Sequence, residues 1–481
     1  MAEIRVFHSH IEVYPYELGD APHIEKVLSK YDNVTHKYIP IGYYIQNGIL
    51  YLPRGVNLSL LQNIFNATPV VVSQYDDFTK IKKGTMKFKP KNRIQEESID
   101  FLISEGRFIK GNYQSQFGLN LDTGDGKTFC MTNAILKMKM KAIVITHKQR
   151  IKEQWIKTIL EMTSVDETQI CDISGSEVID EIMKGKINAD IYYVNHQTIN
   201  AYARIHGWTS IRDFFKKIKV GVKVVDEAHK FFENSLMIDY FSNVKRSYYL
   251  TATFTRSDPK EVRIFKTAYS SVYRFGEETM NYEEKRKHIV FVVVYYHSNP
   301  TIEERNKIST SYGFSSYRYI DYALNEDGNT MMKVLHRLID QTDRLEGKTL
   351  VISPKVDSVN CIAEQIKKYT TKSVGTVHSR NTVAQNERGY DSDIISSTIK
   401  SIGEGDDIKG LRVVINLEPI GSKALADQLR GRLREYSDDD DTFMFYPVDT
   451  AIKESYEFLK RIMPVMKKKC KEIIIMTMDD V

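Results

Sequence analysis

The sequence predicts an α/β protein of two successive lobes, each built on a parallel sheet, with a small α/β module in front. Three observations carry that prediction. From about Ser98 onward, apolar strand-like runs alternate with helix-like segments, the pattern of a parallel sheet covered on both faces. The series starts afresh near His288, which makes two lobes rather than one. Before about residue 85 the runs are shorter and closer together, a different texture. With 481 residues and 42% apolar content, the chain can bury two or three separate cores.

In the leading module, strand-like runs fall at Glu3–Phe7, His36–Ile41, Gly48–Leu52 and Pro69–Val72. Helix-like stretches lie around Ile24–Tyr31 and Leu58–Phe65. Lys80 to Arg93 then holds seven Lys or Arg and no acid. It reads either as a solvated linker or as a contact to phosphates. In the first lobe the strands are Ala142–Thr146, Ile191–Asn195, Val222–Asp226 and Tyr248–Thr251. The second lobe continues with His288–His297, Thr349–Ser353, Val374–His378, Ile394–Ser397, Arg412–Leu417 and Thr442–Tyr446. Ser298–Asn329 is irregular. The expected boundaries are therefore 1–85, 86–285 and 286–481.

A net charge of +5 on 27% charged residues is mildly basic and decides little, because one groove can be cationic on a near-neutral protein. Cys130, Cys171, Cys361 and Cys470 are scattered, with no CxxC and no His at ligand spacing, and read as reduced thiols. No basic-then-apolar leader is visible, and the longest apolar run, Ile289 to Tyr296, is too short to span a bilayer. A soluble cytoplasmic protein is the expectation.

Leu121-Asp-Thr123-Gly124-Asp125-Gly126-Lys127-Thr128 is the strongest local signal. A glycine-containing loop ahead of a helix lets backbone N–H groups close around phosphate oxygens. Lys127 would reach the β and γ phosphates, and the Thr128 hydroxyl would sit on Mg²⁺. A plain turn before a helix explains the glycines but not the Lys-Thr pair. Leu121 stands where the strict pattern has its first glycine. About a hundred residues later an apolar strand ends in Asp226-Glu227-Ala-His229. Asp226 can hold Mg²⁺ through water, and Glu227 can orient or deprotonate the attacking water. One sheet with neighbouring strand ends would bring the two segments together.

Asp226-Glu-Ala-His229 is also the motif II spelling of DEAH-type helicases, and further segments resemble the superfamily 2 helicase motifs in their usual order. Arg93-Ile-Gln95 resembles the Q-type motif that reads adenine. Thr146, His147 and Lys148, with Glu153-Gln-Trp155, resemble motif Ia. His196, Gln197 and Thr198 look like the following DNA-contacting segment. Leu250–Asp258, with Thr251 and Thr253, is similar to the extended motif III of branch-migration and repair helicases, apart from Phe254 in place of Pro. Thr349–Lys355, with Ser353 and Lys355, resembles motif IV. His378 and Arg380 belong to the segment after it. Thr398 with Gly403–Ile408, including Gly405 and Asp407, looks like motif V. Gln428-Leu-Arg430-Gly-Arg432-Leu-Arg434 looks like motif VI.

The resemblance covers about Arg93 to Tyr446 and implies two RecA-like lobes, ATP and Mg²⁺ as cofactors, and nucleic acid as partner. It places Gly405 and Asp407 at the nucleotide and assigns His229, Thr251, Thr253 and Gln428 to coupling. Arg432, with Arg434 or Arg430, becomes the group that neutralises γ-phosphate charge in the transition state. Position 435 is Glu, so the second arginine is left open between those two.

Lys37–Leu52 and the order of elements around it resemble the leading domain of phage UvsW-type helicases. Those act on branched DNA, by fork regression and Holliday junction migration. The expectation is an ATP-dependent DNA motor in replication, recombination and repair, working beside other such proteins, as a monomer. The alternative is a translocase on RNA or transcription complexes. A structural module without ATPase activity is disfavoured by intact Lys127, Thr128, Asp226, Glu227 and Arg432. A nuclease-coupled motor lacks its metal cluster, because the acidic run Asp438–Asp441 reads as solvated charge. Aromatic and basic residues interleave at Lys87-Phe-Lys89 and Tyr317-Arg-Tyr319, where bases could stack, though such rings are more often packed.

Overall fold

Seven parallel strands form the sheet of the first lobe, in the order Ile170–Ile173, Ile191–Asn195, Ala142–Thr146, Val222–Asp226, Arg246–Thr251, Gln116–Asn120, Tyr273–Gly276. The central strands are buried along their whole length, which explains their Val, Ile and Tyr content, with Lys223 and Arg246 among the buried charged exceptions. The computed structural model describes residues 2–72, 74–104, 108–109, 112–113, 115–121, 124–251, 259–276, 287–310, 313–325, 330–402, 408–433, 436 and 440–480. It divides into two units, Met1–Met280 and Asn281–Val481.

The second unit repeats the plan. Its seven parallel strands run Val374–Val377, Ile394–Ser397, Lys348–Ile352, Leu411–Asn416, Thr442–Asp449, Ile289–Tyr296, Glu472–Thr477. Apolar cores lie against both faces of each sheet. These are the two RecA-like lobes of an α/β protein.

The leading module is a five-stranded mixed sheet, ordered Tyr44–Gln46, Ile49–Pro53, His10–Tyr14, Glu3–Val6, Val70–Val71. Its pairs are antiparallel except the last, which is parallel. Ile4, Val13, Leu50 and Leu61 share one continuous core with Ile145, Phe214, Tyr240 and Phe265 of the first lobe, so the module has no core of its own. Polar bonds cross the same contact. Tyr240 Oη donates to the Gly42 carbonyl (3.0 Å), Ser270 Oγ to the Gly55 carbonyl (2.6 Å), and Arg212 to Glu12 (3.1 Å). A Cβ on Gly55 would stand 2.4 Å from the Thr267 carbonyl oxygen, so the close approach requires glycine there.

The helix expected at Ile24–Tyr31 stops early, spanning Pro22–Val27 before a strand at Ser29–Asp32. Asp32 decides this. Its carboxylate accepts from Val34 N (3.0 Å) and Thr35 N (3.3 Å), and the turn so made pairs Ser29–Asp32 with Lys37–Pro40. The basic segment after residue 80 is a strap, not a free linker. Ile81 N donates to the Lys139 carbonyl (3.1 Å) and Lys87 N to that of Met162 (2.8 Å), while the lysine side chains stay mostly exposed. In the irregular stretch, Thr301 and Glu304 form a capping box that starts the helix Ile302–Ile308, and a second helix follows at Ser316–Asn325. Tyr319 is core, 2.5 Å from Tyr296 through the hydroxyls, whereas Tyr317 is exposed.

Candidate functional site: the strand ends of the first lobe

The strand Gln116–Asn120 runs to Leu121, and the helix Lys127–Met138 begins after Gly126, whose φ of 89° favours glycine. Gly124, at φ 103°, is likewise left-handed. Lys127 Nζ donates to the Leu121 carbonyl at 2.9 Å, so the residue that breaks the strict glycine pattern contributes its backbone. Thr128, second in the helix, is half-buried beside it. Gln95 braces the loop from outside. Its Nε2 donates to the Asp125 carbonyl (3.1 Å) while its Oε1 accepts from Lys91 N (2.9 Å). A Cβ on Gly126 would come within 2.5 Å of that Nε2. Arg93 is exposed at the start of the same helix as Gln95, with Nε 2.6 Å from Glu97.

The carboxylates lie close by, though not on the adjoining strand. The strand Arg246–Thr251 intervenes between Val222–Asp226 and Gln116–Asn120, a correction to the neighbouring ends that the sequence suggests. The intervening strand places Thr251 in the cluster. Thr251 Oγ1 and His229 Nδ1 lie 2.7 Å apart, and the same nitrogen is 3.4 Å from Glu227 Oε2. Glu227 has a φ of 50°, a costly conformation for a side-chain-bearing residue and one that concentrates at functional sites.

Asp226 is buried, and both its oxygens are engaged by N–H donors. Oδ1 accepts from Glu227 N (3.0 Å) and Oδ2 from the indole Nε1 of Trp155 (2.8 Å). Loss of solvent, with Glu227 alongside, pushes its pKa up to about 6, while Trp155 and the Lys127 charge pull the other way. Asp226, held away from water beside the half-buried Glu227, would be relieved by a divalent cation. Among the described residues no group of three His, Cys, Asp or Glu could hold a metal by itself. A cation here would take hard oxygen donors from Asp226, Thr128, phosphates and water, a set that suits Mg²⁺.

The residues expected to meet nucleic acid divide by burial. Lys148, Gln197 and Arg380 are exposed, and Lys355 and Thr198 half-buried; Lys355 pairs with Asp321 and Arg380 with Asp357 (2.6 Å). Thr146, His147, His196, Ser353, His378 and Thr398 are buried, and their side chains do not stand open at the surface. Most of them brace strand ends instead. Thr146 Oγ1 donates to Asn195 Oδ1 (2.6 Å), and His196 Nδ1 faces the Thr146 carbonyl (3.0 Å). Ser353 Oγ meets Ser358 Oγ (2.5 Å), His378 Nε2 meets Asn360 Oδ1 (3.0 Å), and Thr398 Oγ1 donates to Ser401 Oγ (2.7 Å). Burial lowers His147 and His196 to about 4 each, so both are neutral at pH 7.

In the second unit, the helix Lys423–Arg430 carries Gln428, half-buried, and ends just before Arg432, which is buried. Arg430 is committed to Asp427 (2.8 Å), which also accepts from Lys469 (2.7 Å). Thr123, Thr253, Gly405, Asp407 and Arg434 lie outside the described residues.

Residues 73–256 match the family model described as type III restriction enzyme, res subunit, a helicase-type domain. None of the curated proteins matches the sequence. Among solved structures, Saccharomyces cerevisiae Dbp5 bound to RNA and ADP–BeF3 aligns over 82% of this chain and 92% of its own, at 15% identity and TM-score 0.54. Mss116p bound to single-stranded RNA and AMP-PNP covers 80% and 74%, at 16% identity and TM-score 0.52. T4 UvsW aligns over 99% and 100% at 13% identity, with a TM-score of 0.37. The family match thus falls on residues 73–256, and the Dbp5 and Mss116p structures share the two-lobed fold. No helix among the described residues is long and apolar enough to cross a membrane.

Proposed function

We propose that this chain is a DNA helicase or translocase that hydrolyses ATP, with Mg²⁺, to remodel branched DNA. The observation that carries the ATPase reading is the cluster at the first lobe's strand ends. Lys127 and the glycine loop, Asp226, and the Glu227–His229–Thr251 contact converge there. In this reading the loop's N–H groups and Lys127 bind phosphate oxygens, and Thr128 and Asp226 hold the cation. Mg²⁺, when bound, neutralises phosphate charge as the terminal phosphoryl is transferred. Glu227 accepts the proton of the attacking water. His229 bridges Glu227 to Thr251, whose segment continues toward Thr253, so a change at the carboxylate is felt on the neighbouring strand. Arg432 is the proposed finger. Arg434 is its proposed companion, since Arg430 already serves Asp427.

Branched DNA is favoured by the resemblance of the leading module, residues 1–85, to UvsW-type helicases. Lys148, Gln197, Lys355 and Arg380 are the proposed backbone contacts, with sequence-independent grip on phosphates. A second reading, RNA as the track, is favoured by the RNA-bound helicases that share the fold. ATP hydrolysis measured with four-way DNA, forked DNA, duplex, single-stranded DNA and RNA separates the two. Strongest stimulation by forked or four-way DNA is expected; stimulation by RNA alone overturns the DNA assignment.

A further inference from the structure

We infer that Trp155 is a positioning residue for the metal-holding carboxylate Asp226, which ties the helix Gln149–Met162 directly to the nucleotide site. The inference rests on the nucleotide-site reading above and goes beyond it. By sequence, Trp155 falls in a segment that resembles a nucleic-acid-contacting motif. In the structure it is buried, and its indole Nε1 donates to Asp226 Oδ2 at 2.8 Å. The other oxygen is held by the Glu227 amide at 3.0 Å, so two N–H groups fix the carboxylate plane.

The chemistry of the indole makes this a one-sided arrangement. Indole N–H is a donor only, so it orients the carboxylate without competing for the cation. Each carboxylate oxygen keeps lone-pair capacity, which is what an oxygen ligand for Mg²⁺ needs. The helix bearing Trp155 is itself anchored. Lys152, wholly buried, pairs with Asp172 and donates to the Ile173 carbonyl (3.2 Å), and Gln149 Oε1 accepts from Asn195 Nδ2 (3.1 Å). The exposed Lys148 occupies the N-cap position of this helix. A strand gripped at Lys148 and a cation held at Asp226 therefore act on two positions of one rigid helix.

The test is Mg²⁺ titration of the binding of a fluorescent, non-hydrolysable ATP analogue, without turnover, in wild type and Trp155→Phe. The half-saturating Mg²⁺ concentration should rise about tenfold in the variant, the size expected when a metal ligand loses its supporting hydrogen bond. Affinity for the Mg²⁺-free nucleotide should change less than twofold. In an Asp226→Asn background, Trp155→Phe should leave nucleotide affinity unaltered, because its effect passes through that carboxylate. An unchanged Mg²⁺ requirement, or a loss of affinity just as large when Mg²⁺ is left out, overturns the inference. If Trp155→Phe fails to fold, Trp208→Phe protein carrying the isosteric 3-benzothienylalanine at 155 removes the N–H while keeping the volume. If wild type itself shows no Mg²⁺-dependent binding, the nucleotide-site reading falls as well.

Discussion

The two seven-stranded sheets share a plan and differ in what their strand ends carry. In the first lobe the ends and the layer beneath them hold charge taken out of water. Examples are Asp226, the Lys223–Asp239 pair and Lys152, all buried. In the second lobe the corresponding ends carry mostly neutral hydroxyls and amides, namely Ser353, Ser396, Ser397, Thr398 and Asn416, with Asp449 a buried carboxylate among them. Its helices carry buried charge in the Arg430–Asp427–Lys469 group. One scaffold thus supports two chemistries, because function resides in side chains at strand ends rather than in the sheet.

The comparison predicts that the first lobe depends more on its charges. Asp239→Ala strands Lys223 in the core and removes the acceptor of Tyr249 Oη (2.7 Å). It should cost about 3–5 kcal/mol in denaturant unfolding. A value near that of a hydroxyl deletion in the second lobe would break the contrast.

His196 comes next. Its folded pKa is depressed, to about 4 from an ordinary 6.5, so the unfolded chain binds the extra proton between those values. Stability is complete above about pH 6.5 and falls as pH drops toward 4, by up to about 3 kcal/mol. Thermal melts of wild type and His196→Gln across that window should converge at low pH; parallel curves would contradict this. Gly55→Ala sharpens the picture at the module's contact. The new Cβ meets backbone oxygen atoms of Thr267 and Ala268, at 2.4 and 2.7 Å, and should cost about 1–3 kcal/mol by equilibrium unfolding. The smallest effect belongs to the second lobe. Ser397→Ala deletes a hydroxyl that donates to the Val377 carbonyl (2.5 Å) and lies 3.3 Å from that of Thr398, and should cost about 1 kcal/mol.

Much of the scaffold is legible in the sequence because buried parallel strands are rich in Val, Ile and Tyr. Val222–Asp226 and Ile394–Ser397 have the bounds read from sequence. Gln116–Asn120 is not legible, being interrupted by Gly118 and bounded by polar Gln116 and Asn120, and neither is His10–Tyr14, because His10 and Glu12 are buried and pair with each other. At the site, the Lys127 loop and the Asp226-Glu227 pair are local signals, readable from spacing. The partners that hold them are not local. Gln95 on Asp125 and Trp155 on Asp226 join residues 30 and 71 positions apart. One hint exists, that a buried Trp needs an acceptor for its N–H. The leading module's shared core is likewise invisible, since its apolar runs look the same whether they close on themselves or on a lobe.

The most direct test of the account is ATP turnover by Glu227→Gln, measured with saturating branched DNA. Glutamine keeps the shape of the side chain and cannot take the proton from water. Hydrolysis should fall by about 100-fold or more while ATP binding stays within a few-fold of wild type. Turnover close to wild type would contradict the assignment of this strand end as the place where ATP is cleaved.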